Sequence, residues 1–478
     1  MQESITPTYT TRTTCRCCQS DDLVELFTLN NQYVNGFVSI DIDQTTLPRC
    51  PIELQLCKAC TLVQAKHTAP QELLYTGHYW YTSGRNESMR KSLAEVAHAI
   101  ESRINLLPGD IVLDIGSNDG TLLRSYKIRG FEYQRMSDPG EAIFDCDYIG
   151  VDRDRPITVG IEPAKNLATV GKEGVDILVN DFWSYDVYVK ELIDAGYEHR
   201  WGHNKGDHRA KVITALGMFY DLEDPSAFIA DVAKVLDPEG IFVAQLMCLK
   251  QTVLMEDVGN LTHEHLEFYS LHSLQLLLAK HGLVIFDLEE NSVNGGSYRL
   301  WCCHQDTSWI KSQPINSEQN LRIIDALAVE EQLKLDEPDT YFALYQRMNR
   351  TRQRVVSFIK KEVEAVKKVW VYGASTKGNV ILQWYNLDSA LIQAAADRSP
   401  DKHGRVTVGS NIVIHSEEEF RHAQPDYALV LPYAFLSSFI ERESEWLKKG
   451  GKFIVPLPVP RLISLNADTP NVIHHEVL

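Results

Sequence analysis

The sequence predicts an α/β protein in which two doubly wound, Rossmann-like units follow a small cysteine-rich one. Three observations lead there. Between residues 111 and 247, five apolar strand-like runs alternate with helix-like segments, as in a parallel sheet with crossover helices. From residue 367 a similar plan of apolar run, glycine turn, helix, apolar run and acid begins again. Six of the ten cysteines fall within the first 60 residues. These features divide the chain into 1–75, 76–306, a helical connector over 307–366, and 367–478.

The N-terminal unit is read from its cysteines. CRCC (15–18) and LQLCKACTLVQ (54–64) contain two C-x2-C pairs, Cys15 with Cys18 and Cys57 with Cys60. Such a turn converges two thiolates on one metal, and two turns complete a tetrahedron. Cys17 and Cys50 could substitute, but the symmetry of the spacing favours the other four. Clustering of this kind, in a chain that reads as cytosolic, points to metal rather than disulfides. Four thiolates leave zinc no open position, so the ion would be structural.

Composition narrows the function. The chain of 478 residues is 44% apolar and 23% charged, as in a soluble globular protein. A net charge of −18 without a long basic block argues against a nucleic-acid partner. MQESITPTYTTRTT has no apolar signal region, and no run approaches the ~20 apolar residues of a membrane span. The expectation is a cytoplasmic protein acting on a small molecule.

ELLYTGHYWYTSGRNESMRKSL (72–93) leads into the second unit. Tyr75, Tyr79, Tyr81 and the SGRN turn ending at Asn86 either frame a ligand or pack between units.

The most informative stretch is IVLDIGSNDGTLLRSY (111–126). Gly116 and Gly120 let the backbone turn tightly and approach a ligand. No Lys follows the second glycine, which argues against a triphosphate. Asp114, at the strand end, suits a cationic ligand better than a pyrophosphate. TVGIEPAKNLA (158–168) ends its strand in Glu162, placed to hold the two hydroxyls of a ribose. VDILVNDFW (175–183) ends in Asn180 and Asp181, where a nucleobase would lie. VITALGMFYDLEDP (212–225) runs into the helix DPSAFIADVAKVL, and IFVAQLM (241–247) is the fifth strand. These strand ends resemble the class I S-adenosylmethionine-dependent methyltransferases. That resemblance implies donor contacts from Asp114, Gly116, Asn118, Asp119, Gly120, Glu162, Asn180 and Asp181.

VGNLTHEHLEFYS (258–270) carries His263, Glu264 and His265. Histidines at i and i+2 do not share a helix face, so this is not the i, i+4 pattern of a zinc protease. The order C-x2-C, C-x2-C, DIGSNDG, HEH, GGSYRLW (295–301) resembles the zinc-containing sugar C-methyltransferases, which methylate nucleotide-linked keto-deoxysugars. A carbon beside a ketone becomes nucleophilic once a base removes its proton and the enolate is stabilised. The resemblance implies His265 as that base, its imidazole titrating near working pH. It implies Glu264 as a sugar-hydroxyl ligand or a group orienting the imidazole. His263 points the other way, either as a structural residue or as a further member of the catalytic set with Tyr79; Tyr81, Asn86 and Arg299 complete the expected acceptor set. The chain departs from the family at Thr262, where a Tyr is usual, and in polar insertions at 129–155 and 197–209. The reaction class therefore transfers better than the substrate. His203, His208 and His272 read as solvated.

In the C-terminal unit, VWVYGASTKGNVIL (369–382) places a turn between Gly373 and Gly378, and Asp397 follows at the next strand end. Lys377 and the HGR of 403–405, Arg405 included, are candidate contacts for a diphosphate. The same-fold alternative is an O- or N-methyltransferase on another natural-product intermediate. From another class, a non-catalytic zinc-containing binding or assembly protein would hold the donor without turnover.

Overall fold

The computed structural model describes residues 9–34, 36–76, 78–126, 155–196, 208–308, 310, 317–465 and 473–478. The insertions at 129–155 and 197–209 lie outside these, except for residues 155 and 208–209, as does His203. Among the described residues, no helix is long and apolar enough to cross a membrane.

The first large sheet has seven strands. Their order is Leu283–Asn291, Ser297–His304, Leu236–Met247, Ala210–Leu216, Ile111–Ile115, Ile157–Ile161, Ile177–Val179. Only Ser297–His304 runs against the rest of this sheet. This is the class I methyltransferase arrangement. Ile111–Ile115 and Ile157–Ile161 are buried at every residue, which is why they read as nearly continuous apolar runs, interrupted only by Asp114 and Thr158, rather than alternating ones. Helix Glu87–Arg103 buries Leu93, Val96, Ala97 and Ile100, the i, i+3, i+4, i+7 stripe of a helix laid on a sheet. Helix Pro225–Val235 starts on an Asp224 cap with proline at its first position.

The second large sheet has the order Ile414–His415, Ala394–Ala396, Val369–Tyr372, Tyr427–Val430, Lys452–Val455, Arg461–Leu465, Ile473–Val477. Its first five strands are parallel, and of the last two only Arg461–Leu465 runs against them. In both sheets the strand order reverses beside the first strand, opening a crevice at the carboxyl ends where doubly wound folds bind ligands.

The connector is shared between the two cores. Helix Glu318–Gln332 buries Ile323 and Ala326 in the first, and helix Pro338–Glu364 buries Leu344, Met348, Val355 and Ile359 in the second.

The N-terminal unit is stitched to both neighbours by strand pairing. Leu23–Tyr33, Arg49–Cys57 and Val63–Ala65 form an antiparallel sheet completed by Glu267–Phe268, the strand just after the HEH turn. Phe37–Ser39 pairs with Arg405–Thr407 of the C-terminal unit.

Candidate functional site

A cavity of about 550 Å³ opens where the crevices of the two sheets meet. Strand ends of the first sheet, the HEH turn, the tyrosines of 75–81, and Thr376 and Lys377 at the start of the helix after strand Val369–Tyr372 line it.

One half is built from the carboxyl ends of the first three strands. Asp114 closes Ile111–Ile115 and accepts a hydrogen bond from Thr214 Oγ1 at 2.6 Å. Burial pushes its carboxyl up to about 7. Gly116 follows at φ +72°, where a Cβ would lie 2.8 Å from Met218, so main chain rather than side chain faces the cavity. Glu162 accepts from the main-chain N–H of Asn118 at 2.9 Å and of Ala164 at 2.8 Å, and burial raises it too to about 7. Ser117 Oγ is buried without a partner. A glycine cradle, an unsatisfied hydroxyl and two carboxylates suit a cationic nucleoside such as S-adenosylmethionine.

Four expected donor residues lie elsewhere. Asn180 and Asp181 are exposed; Asn180 donates to the carbonyls of Glu162 and Pro163, and Asp181 accepts from the N–H of Phe182. Phe182, Trp183 and Ser184 line the cavity instead. Asp119 turns away because the SGR turn docks on it, with the Gly84 N–H 2.8 Å from its Oδ2. Gly120 is the left-handed cap of the next helix, packed against Val175 and the Gly171 carbonyl.

The other half centres on the HEH turn. The His265 Nδ1–H donates to the main-chain carbonyl of Asn260 at 2.7 Å. A carbonyl can only accept, so Nδ1 holds the proton of the neutral ring and Nε2 keeps its lone pair. This bond, rather than Glu264, orients the imidazole. The ring lies edge-on to Tyr220 at 4.7 Å. Burial, aided by the Lys377 charge, pushes His265 down to about 3, well below the near-neutral titration expected. Glu264 lines the cavity and is raised by burial to about 7. Lys377 reaches in from the second sheet and donates to Asn260 Oδ1 at 2.6 Å. Burial lowers its ammonium, against the raising fields of Asp257, Glu264 and Asp221. Tyr75, Tyr79 and Tyr81 form a wall, and the Tyr75 hydroxyl donates to the Glu264 carbonyl.

The remaining expected acceptor residues do not reach the cavity. His263 donates through Nε2 to the Cys50 carbonyl at 2.9 Å, in the seam with the N-terminal unit. Asn86 caps helix Glu87–Arg103 by accepting from Ser88 N. Arg299 is held within the sheet by Gln245 and Glu289. Arg405 lies over the Trp80 ring at 5.2 Å and donates to the Asp401 carbonyl.

Sequence reasoning missed Tyr220, Asp221, Gln245 and Asn260. FYDLED is separated by two residues from the end of the fourth strand, so the logic applied to strands one to three would have found Tyr220 and Asp221.

The sulfurs of Cys15, Cys18, Cys57 and Cys60 all lie within 4.8 Å of one another. Cys15–Cys60 is 3.4 Å and Cys18–Cys57 is 3.6 Å. A zinc–sulfur bond of about 2.3 Å sets a tetrahedral edge of roughly 3.8 Å, so the four fit one such ion. Cys17 and Cys50 are outside the group.

Residues 81–288 match the family model of the methyltransferase domain, and 292–458 match that of the C-methyltransferase C-terminal domain. The C-methyltransferase NovU of Streptomyces niveus is 27% identical over 458 residues, spanning 94% of this chain and 96% of that protein. Among solved structures, magnesium protoporphyrin IX methyltransferase from Synechocystis PCC 6803 with bound SAH is 14% identical at a TM-score of 0.30, covering 46% of this chain and 88% of its own. The CcbJ methyltransferase of Streptomyces caelestis is 11% identical at a TM-score of 0.30, covering 48% and 100%. Scores so low carry no weight beside the strand order itself. Sheet topology, two consecutive family models and a relative matched over nearly its full length agree: the chain is an S-adenosylmethionine-dependent methyltransferase, similar to the C-methyltransferases.

Proposed function

We propose that the protein methylates a carbon alpha to a carbonyl on a nucleotide-linked keto-deoxysugar, with His265 as the base. The observation that carries this reading is the Nδ1–H bond from His265 to the Asn260 carbonyl, which leaves Nε2 able to take a proton. Asp114, Gly116, Asn118 and Glu162 would hold S-adenosylmethionine, with Phe182 and Trp183 as flanking walls. Bound there, it supplies an electrophilic methyl on a sulfonium.

An imidazole pushed down to about 3 is a weak base, so the enolate must be stabilised as it forms. Lys377 brings the positive charge for the enolate oxygen. Glu264, on the same wall, favours the imidazolium that results. His265 Nε2 takes the alpha proton, the enolate carbon accepts the methyl, and the imidazolium returns its proton to solvent. Tyr79 and Tyr81 flank the acceptor. The four cysteines hold zinc as a closed structural site.

The acidic lining bears on where the acceptor's phosphates lie. Asp114, Glu162, Asp221, Glu223, Asp224, Asp231 and Glu264 face the cavity, with Lys377 as the counter-charge. A diphosphate would therefore lie outside this acidic lining. The test is product NMR after incubation with S-adenosylmethionine and nucleotide-linked 4-keto sugars. A methyl carbon bonded to ring carbon supports the reading; a methyl on oxygen or nitrogen overturns it.

A further inference from the structure

Arg16 lies between the metal-ligand cysteines 15 and 18 and is fully buried, at 0% exposure. A guanidinium does not deprotonate in proteins, so so deep a position requires partners. Its Nη2 donates to Thr68 Oγ1 at 2.6 Å and lies 3.4 Å from Glu223 Oε2, while Nη1 donates to the Ala65 carbonyl. Its Nε is 3.7 Å from Glu267 Oε1. Thr68 Oγ1 in turn donates to Glu223 Oε2 at 2.7 Å.

Both carboxylates lead to the acceptor half of the cavity. Glu223 lines it. Glu267 Oε2 accepts from Leu222 N at 3.2 Å, and the N–H groups of Leu266 and Glu267 donate to the Tyr220 carbonyl at 2.8 and 3.1 Å. Tyr220 carries the ring that meets His265. Segment 220–223 and the residues just after the HEH turn are thus tied together and anchored on Arg16. Neither Asp114 nor Glu162 is among these contacts.

We infer that Arg16 is a positioning residue that couples the four-cysteine metal site to the acceptor wall of the cavity, leaving the donor half untouched. The inference rests on the reading of that cavity given above. Filling the metal site fixes the 15–18 turn, the turn fixes the guanidinium, and the guanidinium fixes Glu223 and Glu267.

The test is hydrogen exchange on the full chain, which needs no acceptor and so fails independently of the substrate proposal. Wild type, chelated wild type, Arg16→Ala and Arg16→Lys are compared, with metal content and S-adenosylmethionine affinity measured on each. In metal-replete Arg16→Ala, exchange over 218–224 and 264–268 should rise by about tenfold, while 111–120 and donor affinity stay as in wild type. Chelation should loosen the same two segments, and Arg16→Lys, keeping the charge but not the fork, should fall between. On an acceptor that turns over, KM rises more than kcat falls. Unchanged exchange over 218–224, or equal loosening of the donor half, overturns the coupling. Should Arg16→Ala fail to fold, Thr68→Val removes the hydroxyl bridge to Glu223, leaving only the direct approach at 3.4 Å, without removing the charge. The same selective loosening is then required, and its absence counts against the proposal.

Discussion

At His265, a main-chain carbonyl decides which ring nitrogen is available, so the proton's place is fixed by backbone geometry rather than by an acidic neighbour. On the proposed mechanism, Glu264 would then act on charge that develops during the reaction. Lys377 has the complementary task, and Lys377→Met should lower kcat by about 100-fold or more with donor affinity unchanged, measured by single-turnover methyl transfer. The donor half makes a pH prediction. Asp114 and Glu162 are both pushed up to about 7 by burial, and a bound sulfonium and ribose favour their ionised forms. Donor affinity should therefore weaken as pH falls from 8 to 6, as calorimetry on the full chain would register. The stability sign is opposite in the donor-free protein. With both folded values above the unfolded ones, the folded state holds the extra protons, so these groups stabilise it least above pH 7. The donor-induced rise in Tm should accordingly grow with pH.

At the scale of elements, Gly116 is the most exacting position in the donor half. Gly116→Ala sets a Cβ 2.8 Å from Met218 on a backbone at φ +72°. Loss of roughly 1 kcal/mol of stability and about tenfold weaker donor binding are expected, by thermal unfolding and titration. The first two strand ends, Asp114 and Glu162, were legible because buried parallel strands announce themselves as apolar runs with a polar terminus. The third was not. Its chain continues through NDFWS, and polarity alone points to Asn180 and Asp181, whereas Phe182 and Trp183 turn inward. Asp119 misled for another reason, since the SGR turn that occupies it lies 35 residues earlier in the chain. Tyr220 and Asp221 had the same signal as Glu162 and were passed over.

At the scale of the molecule, both Rossmann-like units contribute residues to one cavity, and the N-terminal unit pairs strands with segments of both. The sequence's repeated plan of glycine turn and acid made the second sheet readable, but not that its Lys377 would stand beside Glu264. That contact depends on how two units separated by a helical connector dock, and no local pattern records it. The HEH turn is legible as a motif, and so is the turning away of His263, but not what His263 meets. Adjacent positions in a turn point apart, and only the packed N-terminal unit shows that His263 serves the seam. The central claim is that His265 takes a carbon-bound proton in a cavity that binds the donor independently. It is tested most directly by labelled methyl transfer to nucleotide-linked 4-keto sugars, with wild type and His265→Ala side by side and donor binding titrated on both. Label on ring carbon in wild type, absent in the variant while donor affinity persists, is the predicted result. Transfer by His265→Ala at the wild-type rate would contradict it.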